Sequence, residues 1–378
     1  MLSNVKVIFE GHSWAEAPTE LSQCTSVLEI HSGEDWKSVD AFLKANKGKH
    51  IAFLLSHQLK GLFSDYALQK HVQIDFPLGV FLVFNSATTY ANKTECVSVS
   101  SSVKLKPSLT KSEYLERISA IKNHIQKGEF YETNFCFEHN FDGEISPDKV
   151  FRQVSELSSA PFSAHFQYKH HHVISGSPEL FFETENGTIR CAPIKGTRPR
   201  GGDAKKDLAL KLELENSVKE RAENIMIVDL VRHDLSQIAQ KNTVAVHALC
   251  KVHTFETVHQ LITDISAKLS VDVEFSDIIE KLFPIGSMTG APKIAAVGYT
   301  DSLEPSPRVT YSGALGWIKP NGDITSSVLI RGVYYDALKK YTSVSVGGAI
   351  TTLCNPEEEY EECMTKLSMM QEALRRSQ

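Results

Sequence analysis

Leu180-Phe181-Phe182-Glu183-Thr184-Glu185-Asn186-Gly187-Thr188-Ile189-Arg190-Cys191 reads as two short strands around a two-residue turn. Asn-Gly accepts the positive φ of a type I′ turn, whose twist matches that of paired antiparallel strands. The hairpin is not isolated. From Pro161 onward the pattern is mostly short strands, and they return at Val309–Ile318, Ile324–Tyr335 and Tyr341–Val346, with Pro320-Asn321-Gly322 as a turn. A helical block fills Asp203 to about Ala239, and a last helix opens at Asn355-Pro356. Adjacent strands mixed with helices predict antiparallel sheets covered by helices, an α+β arrangement and not a βαβ array.

Upstream, Thr110 and Glu113 form a capping box. Tyr114, Leu115, Ile118, Ile121 and Ile125 keep helical spacing behind it, and Gly128 is placed to end the helix. The period then changes to two, with Phe135, Phe137 and Phe141 on one face of a strand. Ser146-Pro147 opens another helix, with Val150, Phe151, Val154 and Leu157 inward. The Ser- and Lys-rich stretch Val97–Ser112 reads as a linker. It separates a segment 1–104, with strands near Ile51–Leu55 and Val80–Phe84 and a helix after Ser32, from a core 105–378.

The chain has 378 residues, so length alone suggests two or three domains at about 150 residues each. Apolar residues at 42% exclude a disordered chain, and a net charge of −6 argues against a generic nucleic-acid binder. An acidic protein that binds an anion must gather positive charge or a metal locally. The seven cysteines are scattered without a Cys-x-x-Cys, which points to a reduced, cytoplasmic compartment and no structural zinc. The start lacks a signal-peptide core, and no apolar run reaches the ~18 residues of a membrane helix.

Four stretches offer chemistry. Pro193-Ile194-Lys195-Gly196-Thr197-Arg198-Pro199-Arg200-Gly201 reads as a rigid basic loop, either a solvated surface feature or a site. In the second reading neighbouring cations lower the pKa of Lys195 below ~10.4 and make it a nucleophile. Glu220 and Glu223 share one helix face; Glu359, Glu362 and Lys366 share another. Two acidic pairs suit a Mg²⁺ ion, although glutamates in a first turn also serve the helix dipole. Phe283-Pro284-Ile285-Gly286-Ser287-Met288-Thr289-Gly290-Ala291-Pro292-Lys293 enters a helix, with Pro292 in its first turn, as a plain cap or an anion cradle. It lacks the order of a nucleotide P-loop. Arg331 lies in a predicted strand, Gly347-Gly348-Ala349 reads as a pliable turn, and His170-His171-His172 as an exposed turn without a metal role.

Together these residues resemble the chorismate-utilising enzymes, which include anthranilate, aminodeoxychorismate, isochorismate and salicylate synthases. The resemblance runs from about Tyr114 to Leu367, in the family's order. It takes in Ser177-Pro178-Glu179, the Pro193–Gly201 stretch, Glu223-Asn224-Ile225-Met226-Ile227-Val228-Asp229-Leu230 with Arg232 and Asp234, the Phe283–Lys293 stretch, Tyr311-Ser312-Gly313, Ile330-Arg331 and the Glu359–Lys366 helix. It implies a single α/β/β/α sandwich of two large, mainly antiparallel sheets with outer helices. Glu223 and Glu362 match Mg²⁺ ligands, with Glu220 and Glu359 beside them. Tyr311, Arg331 and the Gly347 backbone match groups that hold the enolpyruvyl carboxylate. Thr197, Ser287, Lys366 and His259 match further substrate contacts. Glu179 matches the general acid for the departing C4 hydroxyl, a role that needs a raised pKa.

Two positions divide the family. Water-using members carry an activating lysine where this chain has Glu132, and nitrogen-using members usually have glutamine, so the role of Glu132 is open. Lys195 marks the aminodeoxychorismate branch, where a lysine attacks C2 and ammonia then adds at C4; without that lysine, ammonia adds at C2 as in anthranilate synthase. The resemblance therefore implies conversion of chorismate and ammonia to 4-amino-4-deoxychorismate, for p-aminobenzoate and folate synthesis. The alternatives are anthranilate synthase component I and a non-catalytic chorismate-binding subunit. None of the cysteines lies in a Gly-x-Cys-x-Gly turn, so ammonia is expected from a separate glutamine amidotransferase subunit or from ammonium salts. The chain ends about a dozen residues past Lys366, which reads as no room for a fused lyase. No Leu-Leu-Glu-Ser motif precedes Gly48; the nearest echo is Val27-Leu28-Glu29-Ile30, so tryptophan feedback is not expected. His233 and Ala349 stand where asparagine and a third glycine are common, and Ala349 would matter if its backbone needed positive φ.

Overall fold

A computed structural model of the chain describes residues 5–63, 75–90 and 103–378. Residues 97–102 of the predicted linker lie outside these; Lys106–Pro107 is a short strand paired with His139 and Asn140.

The described strands form one antiparallel network that folds over on itself. One half runs outward from Lys6–Phe9 through Phe162–Tyr168, His171–Ser177, Gly332–Asp336 and Tyr341–Thr351 to Glu132–Asp142. The other runs from Gly79–Thr89 through His50–Leu55, Ala314–Ile318, Ile324–Val328, Leu180–Glu185 and Thr188–Ala192 to Val258–Lys268. The strand Thr19–Ile30 joins them, pairing with Lys6–Phe9 at one end and with Gly79–Thr89 along its length. The Asn186-Gly187 turn has both residues at positive φ, as its sequence predicts.

Side-chain alternation shows why two layers result. On His50–Leu55, Ala52 and Leu54 face a core shared with Val7, Phe9 and Phe166 of the opposite half. The alternate residues Ile51, Phe53 and Leu55 face an outer core with Val228 and Leu235 of the helix Val218–Ser236 and Phe275, Ile278 and Ile279 of Phe275–Leu282. On the far side, Phe135, Phe137 and Val346 meet Tyr114 and Ile118 of Lys111–Gln126, Val150 and Val154 of Pro147–Ser158, and Leu367 and Met370 of Pro356–Arg376. A strand buried on both faces must be apolar on both, which is why Ile51–Leu55 and Val80–Phe84 are unbroken apolar runs. The layers are therefore helix, sheet, sheet, helix. The capping box at Thr110 forms as read, and the helix after Ser32 opens on a capping box of its own with Asp35. Among the described residues no helix is long and apolar enough to cross a membrane.

Several boundaries differ from the sequence reading. The helical block after Asp203 is two helices, Ala204–Asn216 and Val218–Ser236, because Ser217 takes an extended backbone and caps the second through Glu220 N–H. Val309 sits in a turn at φ 50°, and the strand begins at Ala314. The predicted strand Ile324–Tyr335 breaks into two, with Arg331 between them at φ 49°. Gly347-Gly348-Ala349 is no turn but part of Tyr341–Thr351, paired with Cys136, Phe135 and Asn134; Ala349 is extended and carries no strain. Pro292 precedes the helix Lys293–Leu303 as its N-cap. His171 and His172 open a strand, and His171 is buried, not exposed.

Candidate active site

The sequence reading of Pro193–Gly201 as a loop meets its main correction here. Ile194–Pro199 is a strand paired with Val258–Lys268, and its register slips between Ile194 and Thr197. Gly196 absorbs the slip at φ 87°. A β-bulge kinks a strand and re-aims its side chains, and here Lys195 turns into a deep cleft between the strands and two helices. A Cβ on Gly196 would come within 2.9 Å of Glu220 Oε2 and Leu214 Cδ1. Gly196→Ala is therefore expected to cost about 1–3 kcal/mol in urea denaturation and to lower activity by moving Lys195.

The cleft has a volume of about 530 Å³. Lys195, Glu179, Thr197, Ser287, Tyr311, Arg331, Gly347, Lys366, Glu220, Glu223, Glu359 and Glu362 all line it. These residues come from separate strands, two helices and a loop. His259 is not among them. It is buried on the neighbouring strand Val258–Lys268, in register with Arg198, between Thr254 Oγ1 at 3.0 Å and Asp207 Oδ1 at 2.9 Å. Its observed place supports the loop entering Ala204–Asn216, where Asp207 also binds Arg200 and the Gly201 N–H.

Lys195 is 8% exposed and its Nζ lies 2.5 Å from Oε1 of Glu132, which is fully buried. Burial pulls the lysine pKa down, but Glu132, Glu223 and Glu179 outweigh it and hold it above its ordinary value. The expected depression by neighbouring cations does not occur. Arg198 turns to Glu213 and Glu220, and Arg200 to Asp207. Glu132 is thus the partner of Lys195, a role that the sequence left open.

Burial in the cleft raises Glu179 to about 7, against the pull of Ser287, Lys195, the Ile194 N–H and Arg331. Glu223 is also pushed to about 7, by burial and by Glu132 and Glu220, while Lys195 and Lys219 oppose. Its Oε1 is buried with no hydrogen-bond partner among the described residues. Lys219 Nζ bridges the two helices to Glu359 Oε1 at 2.9 Å. Lys366 Nζ lies 2.8 Å from Glu362 and donates to the Gly347 carbonyl at 2.9 Å. Partial burial would raise Glu362, but Lys366, Lys219 and Lys195 hold it below the ordinary carboxylate value. Gly348 keeps room open here, since a Cβ would sit 3.3 Å from Glu359 Oε2. The four carboxylates line the cleft and are the oxygen donors a hard divalent cation takes, with Glu223 Oε1 orphaned while Glu359 and Glu362 are engaged by Lys219 and Lys366. The guanidinium of Arg331 makes no hydrogen bond or ion pair among the described residues, and its position in the cleft suits an incoming anion.

The Phe283–Lys293 stretch is not a free anion cradle. Gly290–Ala291 pairs with Glu132 and Thr133, so its backbone groups are spent beside the Lys195 partner. Arg308, buried and paired with Glu304, donates to the Met288 and Asn134 carbonyls and locks this loop to that strand. Ser287 and Met288 are what the loop presents to the cleft. Lys293 forms a buried ion pair with Asp234 at 2.7 Å, so Asp234 acts in packing. Sequence reasoning missed Lys219 and the apolar wall of Met288, Met369 and Met370. Lys219 was detectable, because it is four residues before Glu223 on one helix face.

The family model for chorismate binding enzymes matches residues 84–372. The chain is 38% identical over 265 residues to an aminodeoxychorismate synthase from Streptomyces pristinaespiralis, covering 70% of this chain and 37% of that one. It is 35% identical over 262 residues to aminodeoxychorismate synthase component 1 of Escherichia coli K12, covering 69% and 57%. It is 30% identical over 294 residues to anthranilate synthase component 1 of Acetivibrio thermocellus, covering 77% and 57%. The chain thus spans between about a third and just over half the length of these relatives. Among solved structures, anthranilate synthase component I from Streptococcus pneumoniae superposes with a TM-score of 0.81 at 18% identity, covering 98% of this chain and 93% of that one. The menaquinone-specific isochorismate synthase from Escherichia coli gives 0.78 at 14% identity, covering 99% and 89%. These two likenesses concern the fold alone. The strand-borne cleft, the ordered motifs and the family match lead to one statement: this chain belongs to the chorismate-binding enzymes.

Proposed function

We propose that the chain is the chorismate-aminating component of an aminodeoxychorismate synthase. The observation that carries this reading is the bulged strand that aims Lys195 into the cleft, paired with Glu132 and close to Glu179. The two carboxyls suit opposite tasks. Glu132 accepts a proton from the Lys195 ammonium and frees the amine. The amine attacks C2 of chorismate, both conjugated ring double bonds shift toward C4, and the C4 hydroxyl leaves as water with the proton of Glu179. Ammonia then adds at C4 and gives a proton to the Glu179 carboxylate, both double bonds shift back, and the lysine leaves C2 and takes back the proton held by Glu132. A carboxyl at about 7 is still partly protonated at neutral pH, as the acid step requires.

Arg331 and Tyr311 hold the enolpyruvyl carboxylate in this reading, with Thr197, Ser287, the Gly347 backbone and Lys366 around the ring. Glu223 and Glu362, with Glu220 and Glu359 adjacent, would hold Mg²⁺, which supplies positive charge for the ring carboxylate when bound. Ammonia comes from a separate glutamine amidotransferase subunit; the Escherichia coli relative is itself named a component 1.

The test is product identification. The purified chain with chorismate, Mg²⁺ and ammonium is expected to yield 4-amino-4-deoxychorismate by mass spectrometry, and glutamine alone to give no turnover until an amidotransferase is added. Anthranilate as the product would overturn the proposal, and isochorismate or salicylate would overturn the nitrogen chemistry.

A further inference from the structure

We propose a second, independent metal site for a borderline divalent cation such as Zn²⁺, formed by His170, His171 and Asp336 at the rim of the sandwich. One donor atom from each lies within 4.8 Å of the other two. The placement follows from the sheet. His171 and Asp336 are directly opposed on the paired strands His171–Ser177 and Gly332–Asp336, so their side chains share a face. His170 occupies the turn from Phe162–Tyr168, next to Lys169 at φ 55°. The two imidazoles lie with centroids 3.9 Å apart.

Each ligand is prepared for a cation. His170 Nε2 is buried without a hydrogen-bond partner and stops 3.8 Å short of Asp336 Oδ1. His171 Nδ1 lies 2.8 Å from the Tyr334 hydroxyl. A metal would select the tautomer in which Nδ1–H donates to Tyr334 and Nε2 carries the lone pair, the usual arrangement behind a ligating histidine. The Asp336 carboxylate is almost fully buried and is fixed through Oδ1 by the N–H groups of Leu338 and Lys339. Lys339 Nζ is 3.9 Å from Oδ2 and nearer to Asp75, at 2.9 Å. Tetrahedral zinc ligands stand about 3.3 Å apart, so the cluster must close by at most about 1.5 Å, which the half-buried His170 in its turn can supply. Two imidazoles and a carboxylate suit zinc, nickel or copper and not Mg²⁺, which takes oxygen ligands.

The ion would clip the hairpin Phe162–Ser177 to its neighbouring strand. The strand His171–Ser177 leads away from the site and ends two residues before Glu179, at most about 25 Å of extended chain from His171, and none of the three ligands lines the cleft, so the site is structural and separate from it.

The test uses the untagged, chelator-treated chain in excess Mg²⁺, titrated calorimetrically with Zn²⁺, with Co²⁺ absorption as a second probe. The expected result is one Zn²⁺ per chain and a thermal midpoint raised by several degrees. His170→Ala and Asp336→Asn should weaken binding at least tenfold, whereas Glu223→Gln should leave it intact. His170→Ala, in a turn, should keep the metal-free midpoint and the ammonia-dependent turnover. Absence of Zn²⁺ binding, unchanged affinity in His170→Ala, or loss of binding in Glu223→Gln would each overturn the proposal.

Discussion

Lys195→Ala is expected to lower ammonia-dependent turnover by at least about a hundredfold, the low end of what a positioned nucleophile or proton-transfer group supplies. It should also destabilise the fold. Glu132 is fully buried, and removing its counter-charge strands a carboxylate. Breaking a buried pair from one side costs about 3–5 kcal/mol, read as a lower urea midpoint. The double variant Glu132→Gln with Lys195→Met should regain most of that stability, because no charge is then buried alone, while activity stays lost. Intact-protein mass spectrometry without ammonia adds an independent readout: wild type should carry a chorismate-derived adduct on Lys195 and Lys195→Ala none. Full turnover in Lys195→Ala would refute the nucleophile role.

Glu179→Gln separates catalysis from stability in the opposite direction. Turnover should fall by about 10²–10⁴, since the C4 hydroxyl loses its proton donor. Stability should rise, and the pH dependence gives the sign. Glu179 titrates near 7 in the fold against an ordinary 4.5. Between these values the native state holds a proton that the unfolded chain has released, so stability falls as pH rises and levels off above about 7. Glutamine mimics the protonated form. The gain in stability should therefore be largest near pH 8, on the order of 3 kcal/mol or less, read as a higher thermal midpoint, and vanish below about pH 4.5. An equal gain at pH 4 and pH 8 would show that the carboxyl is not held protonated.

Much of the fold was legible because its signals are local. A capping box at Thr110, an Asn-Gly turn at 186–187 and a change of period at Phe130 each depend on residues a few positions apart. The double-sided apolar runs Ile51–Leu55 and Val80–Phe84 also mark strands that lie between two layers. The errors share a cause. Gly196, Val309 and Arg331 sit at positive φ, where the backbone turns for reasons set by distant strands. A bulge is a mismatch between two strands and has no signature in either one alone. His259 shows the same limit: its neighbours in sequence do not reveal that Asp207 and Thr254 close around it.

By itself the sequence determined the antiparallel sheets covered by helices, the family, with the layering that the resemblance implied, and the residue types available for chemistry, because hydrophobic period, caps and ordered motifs are properties of the linear chain. The tertiary structure decided which charges meet. Among cations in the sequence, Lys195 is surrounded by carboxylates in space, since the bulge at Gly196 points it away from Arg198 and Arg200 and toward Glu132. The net charge of −6 says nothing of that. Electrostatic energy depends on distance and burial, and both are fixed only when strands from opposite ends of the chain are brought together.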